Sequence, residues 1–148
     1  MLADLLHPER VSIAVMASDK EAALRALAGL LVMPERKANE ESVYDVLMER
    51  ERLASTGVGS GVAIPHGRFD GVDGLRAAVA ICAGGVDFDA VDGLPVKILV
   101  AIVGPRSMPQ KHLAALAGVS RVLRNDAVRE ELIATGNDAE AYRLLVES

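Results

Sequence analysis

The sequence predicts an α/β fold: a single-domain αβα sandwich in which helices flank a mixed sheet. Three observations lead there. "VKILVAIV" (96–103) is a nearly continuous apolar run, the pattern of a central strand covered on both faces. Two further strand-like runs, "GVAI" (61–64) and "RAAVAICA" (76–83), precede it with no helical segment between them, so the sheet is mixed and not purely parallel. Capped, amphipathic helical segments lie on either side of this block.

Taken in order, "VSIAV" (11–15) reads as a short strand. "SDKEAALRALAGLL" (18–31) follows as a helix, with Ser18 as N-cap and Glu21 three residues on completing a capping box. "NEESVYDVLMERERL" (39–53) is a second helix capped by Asn39. After the strand block, whose last turn lies in "GGVDFDAVDGLPV" (84–96), the chain is helical to its end. The segments are 110–123, 125–135 and 137–147, the last two capped by Asn125 and Asn137. No repeat, linker or low-complexity stretch interrupts the chain, so one domain is expected over 1–148.

Composition excludes several function classes. At 51% hydrophobic and 25% charged residues, the chain can bury a real core and is not disordered. With two Phe, two Tyr and no Trp it lacks the stacking platforms of single-stranded nucleic-acid binders, and a net charge of −5 argues against a phosphate-backbone binder. One cysteine, Cys82, rules out a disulfide framework and a multi-cysteine metal site; in its apolar strand it reads as a small buried hydrophobe. No stretch approaches the roughly 20 apolar residues of a membrane helix. The N-terminal "MLADLLHPERV" is too acidic and too early in proline for a signal peptide, and His7 within it reads as a surface residue. A reducing cytoplasm is the expected location.

The chemistry concentrates in "STGVGSGVAIPHGR" (55–68). No lysine follows its glycines, so it is not a Walker A loop. The spacing of Gly57, Gly59 and Gly61, between a helix and a strand, also fails the dinucleotide fingerprint. Two readings remain for these glycines: a turn needing positive φ, or a loop serving a site. Pro65 is expected to end the strand, so that His66 projects from its C-terminal end, and Gly67 would leave the backbone there open to a bulky group. With an ordinary pKa of about 6.5, a large neutral fraction of His66 is available near neutrality as a nucleophile. At about 100° per residue, Arg50 falls on the stripe of Val43, Val46 and Leu47, whereas Arg52 points away. Arg50 then either pairs with a carboxylate or recognises a phosphoryl group on His66 by its bidentate fork; the second is preferred.

"RERLASTGVGSGVAIPHGR" (50–68) resembles the active-site signature of EIIA components of the phosphoenolpyruvate-dependent sugar phosphotransferase system, fructose/mannitol class. "FDAVDGLPVKILVAIVGP" (88–105), "KHLAALAGVSRVL" (111–123) and "DAEAYRLL" (138–145) resemble its nitrogen-regulatory branch. The likeness covers essentially the whole chain. It implies that His66 is the phosphorylated histidine, modified at Nε2, and that Arg50 steadies the phosphoryl group. It places a second family histidine on His112 at a helix start, a position that favours anions. A phosphate loop of Thr56, Gly57, Gly59, Ser60, Gly61 and Gly67 is a further expectation. The family often has Asn where this chain has Ser60.

The implied function is a phosphohistidine carrier and not a stand-alone turnover enzyme. The group would come from an HPr-like phosphocarrier and be read by regulatory targets or passed to an EIIB. No metal-ligand cluster or cofactor motif accompanies His66: a His66–His112 pair would need a third ligand that the sequence does not identify. Three readings follow: a regulatory carrier, a sugar-specific EIIA, and a binding module that has lost phosphorylation. An intact His66 and Arg50 weigh against the last.

Overall fold

A computed structural model describes residues 2–36 and 38–148. Among them run, in order, β1 (Val11–Ser12), α1 (Lys20–Leu31), α2 (Glu40–Leu53), β2 (Gly57–Gly59), β3 (Val62–Ala63), β4 (His66–Arg68), β5 (Arg76–Val86), β6 (Val96–Gly104), α3 (Pro109–Leu123), α4 (Asp126–Ala134) and α5 (Asp138–Val146). The sheet order is β1-β5-β6-β3-β2, with β4 also on β6. β5 is antiparallel to β6, while β3 and β4 run parallel to it, so the sheet is mixed as the sequence predicts.

β6 shows why its run is apolar throughout. Leu99, Ala101 and Val103 enter one core with α1 and α2, and Ile98, Val100 and Ile102 enter the other with α3, α4 and α5. A strand covered on both faces has no solvent side to mark with polar residues. On α1, Leu24, Leu27 and Leu31 are at most 1% exposed, each contributing about 2 kcal/mol of transfer free energy. Asn39, Asn125 and Asn137 cap α2, α4 and α5 through their side-chain oxygens, as expected.

Local expectations change in four places. The cap of α1 is Asp19, not Ser18: its carboxylate accepts from Ala22 N at 2.8 Å, which starts the helix one residue later and removes Glu21 from a capping box. The strand expected over 11–15 stops at Ser12, because Ile13 N donates to Asp138 Oδ1 at 2.8 Å and leaves the ladder. His7 is half-buried, and its Nδ1 accepts from Glu9 N. Pro65 does not end the extended run either. It lacks a donor, but its carbonyl still accepts from Ile102 N at 2.9 Å, and the chain continues along β6 as β4.

Candidate functional site

β4 begins the site. Gly67 faces α2, where a Cβ would lie 2.3 Å from Val46 Cγ1, so only glycine lets the helix pack this closely. The glycine therefore serves helix–strand packing, and its backbone also lines the cleft beside His66. His66 and Arg68, two residues apart on one strand, leave the opposite face together. One turn beyond Val46 on α2, Arg50 reaches the same place. His66, Arg50 and His112 all line one cleft of about 460 Å³, together with Arg68, Arg106, Glu49 and the leucines Leu53 and Leu113.

The histidine is held by its back edge. His66 Nδ1 lies 2.7 Å from the carbonyl oxygen of Ile64. A carbonyl only accepts, so Nδ1 carries the ring proton and the neutral imidazole keeps its lone pair on Nε2. Burial holds the His66 pKa below its ordinary 6.5; the Ile64 bond and Glu51 raise it, and Arg50 and Arg68 lower it. The net direction favours the neutral, nucleophilic form.

Arg50 is half-buried, its Nη1 donating to Ala54 O at 3.0 Å, and Arg52 is exposed. Among the described residues no ion pair to a carboxylate engages Arg50, so the structural-pair alternative lacks its partner. The neighbouring Glu51 is the residue that does pair. Its buried carboxylate accepts from Thr56 N at 2.9 Å and Thr56 Oγ1 at 2.5 Å, and meets Lys20 Nζ at 3.0 Å. Sequence reasoning missed this anchor of the α2 end, which no motif marks.

His112, the fourth residue of α3, is 2% exposed. Its ring centroid lies 5.8 Å from that of His66, tilted by 58°, and its Nδ1 is buried without a hydrogen-bond partner. Burial first, then Arg68 and His66, push its pKa down to about 4. The unfolded chain therefore binds more protons than the native one below pH 6.5. Stability that is complete above that value is expected to fall as pH drops from about 6.5 toward about 4, by at most ~3 kcal/mol from this residue. Denaturant midpoints measured across that window check this, and His112→Gln should flatten the dependence.

Of the expected phosphate loop, Thr56, Gly57, Gly59, Ser60 and Gly61 do not line the cleft. Thr56 is committed to Glu51, and Gly57 lies in β2 against Ala90. Gly59 pairs with Val62 across a two-residue hairpin turn, Ser60 (φ 58°) and Gly61 (φ 76°), both left-handed. Ser60 N donates to Asp92 Oδ2 at 3.0 Å, so that amide is taken within the fold. Gly59 (φ 99°) and Gly61 therefore serve the turn by their positive φ, and Gly57 serves the strand before it. Arg68 is a residue of this cleft that sequence reasoning missed; its two-residue spacing from His66 is the available signal once both lie on one strand.

Cys82 is buried, and desolvation pushes its thiol up, away from reactivity. Among the described residues no group of three or more His, Cys, Asp or Glu side chains could hold a metal ion, and no helix is long and apolar enough to cross a membrane.

Comparison with known proteins bears on this cleft. A family model described as "Phosphoenolpyruvate-dependent sugar phosphotransferase system, EIIA 2" matches residues 4–148. The "Nitrogen regulatory protein" of Bradyrhizobium diazoefficiens is 33% identical over 144 residues, covering 97% of this chain and 94% of that protein. The "PTS system fructose-specific EIIA component" of Haloferax volcanii is 37% identical over 139 residues, covering 94% and 90%. Among solved structures, nitrogen regulatory protein IIA-Ntr from Neisseria meningitidis superposes with a TM-score of 0.89 at 28% identity, covering 97% of this chain and 98% of that one.

Proposed function

Because the chain belongs to the EIIA 2 family of the phosphoenolpyruvate-dependent sugar phosphotransferase system, we propose that it carries a phosphoryl group on Nε2 of His66. In this reading residues 1–148 work as one EIIA domain, mainly as a regulator through its phosphorylation state. The observation that carries the proposal is the Nδ1–H bond to Ile64 O, which presents Nε2 as the lone-pair atom beside Arg50.

The donor would be the phosphohistidine of an HPr-like carrier docked over the cleft, whose rim offers Leu53 and Leu113, 81% and 63% exposed, to an apolar partner surface. The Nε2 lone pair forms the new N–P bond as the donor's N–P bond breaks, with that bonding pair leaving on the donor ring. A donor ring protonated at its other nitrogen departs as neutral imidazole. The His66 proton stays on Nδ1, where Ile64 O steadies the ring's gained positive charge. Arg50 offsets the charge on the transferring oxygens.

The nitrogen-regulatory relatives favour the regulatory role. The fructose-specific relative, at 37% identity, favours a second reading in which the group passes on to an EIIB. Incubation with phosphoenolpyruvate, enzyme I and an HPr-type carrier is expected to add one acid-labile phosphoryl group by intact mass. Isolated phosphoprotein is then mixed with an EIIB of the fructose type. Retention supports the regulator; rapid loss makes sugar relay the main role. No mass gain with several competent donors overturns the carrier reading.

A further inference from the structure

We infer that Arg68 is a second cationic contact for the transferring phosphoryl group, facing Arg50 across it; this rests on His66 being the acceptor. Strand geometry makes the placement rigid. Arg68 pairs with Gly104 on β6, and the adjoining Phe69 N donates to Gly104 O at 2.7 Å, so the β4 register cannot slip without breaking both. Two-residue spacing then sends the Arg68 side chain out beside the His66 ring, while Arg50 arrives from α2. The charge of Arg68 is felt at both rings: it is the foremost charged neighbour lowering the His112 pKa, and it also lowers that of His66.

Neighbouring Arg106 is neutralised by Asp70 at 2.8 Å, but among the described residues no ion pair engages Arg68. The single acidic residue lining the cleft, Glu49, is exposed, and both histidines are held toward neutrality. Two half-buried arginines that pair with no carboxylate among the described residues leave their charge available to a dianion, which a phosphoryl group on Nε2 supplies. Arg68 therefore contributes most when the phosphoryl group is in place, and little to the resting fold.

The test compares wild type, Arg68→Met and Arg68→Lys for the initial rate of phosphoryl gain from an HPr-type carrier, and for the NMR titrations of His66 and His112. Arg68→Met is expected to slow the gain by about 10- to 100-fold, below the full effect of a buried donor because this side chain is half-exposed. Both histidines should titrate at higher pH once the cation is gone, and Arg68→Lys should recover part of both effects. An Arg68→Met protein that takes up the group at the wild-type rate overturns the inference while leaving His66 as acceptor. Failure of the wild type itself to gain the group removes the acceptor reading instead, and this inference with it.

Discussion

Arg50→Met is expected to slow phosphoryl gain on His66 by about 10²-fold or more, in the range of losing one preorganised donor to transition-state charge. Arg50 has the largest effect of any charged side chain on the His66 ring, ahead of Glu51 and Arg68. Its place is fixed at both ends: the stem follows Val46 on the helix face against β4, and Nη1 is tied to Ala54 O. Phosphoryl transfer leaves little for the protein beyond positioning and charge, so removing the fixed cation removes most of what it supplies. Stopped reactions followed by intact mass give the rate. The folding midpoint should hardly move, because Arg50 holds no carboxylate. A rate within twofold of wild type would exclude Arg50 from the transfer step.

The second large effect is on stability. Glu51→Leu is expected to cost about 3 kcal/mol, since it strands buried partners instead of removing a matched set. Thr56 N and Oγ1 would lose their acceptor inside the fold, and Lys20 would keep the exposed Asp89 at 3.5 Å and the face of Phe88. Thr56 O also accepts from Ile64 N at 3.0 Å, and Ile64 supplies the carbonyl that holds His66 Nδ1. Loosening Thr56 therefore loosens the support of the histidine as well. Glu51→Gln, which retains an acceptor of the same shape, should recover much of the loss. Chemical denaturation checks both variants, and a cost under about 1 kcal/mol for Glu51→Leu would show that water replaces these bonds freely.

Legibility in the sequence followed locality. The β6 run and the three asparagine caps were readable because hydrophobic pattern and side-chain-to-backbone bonds act within a few residues. Asp19 displaced Ser18 at the α1 cap because two adjacent residues both suit that role, and it is the Asp19 carboxylate that accepts from Ala22 N. Ile13 left the predicted strand for a carboxylate 125 positions away, which no local pattern contains. The helix-face argument and the Pro–His–Gly context single out Arg50 and His66, which line one cleft. His112 came from the resemblance alone, since its approach to 5.8 Å depends on how α3 lies over the sheet. The glycine loop leaves two readings open because the glycines of a left-handed turn and those of an anion site look alike until the amides' partners are known.

In the proposed transfer Nε2 of His66 takes the phosphoryl group while Nδ1 keeps its proton on Ile64 O. Its most direct test is ¹⁵N-edited NMR of histidine-labelled protein after phosphorylation by the carrier, with His66→Gln alongside. The expected result is nitrogen–phosphorus coupling at a single ring nitrogen, Nε2 of His66, an Nδ1–H signal on the same ring, and no phosphoryl group on His66→Gln. Coupling at Nδ1 of His66, coupling on His112, or full phosphorylation of His66→Gln would contradict it.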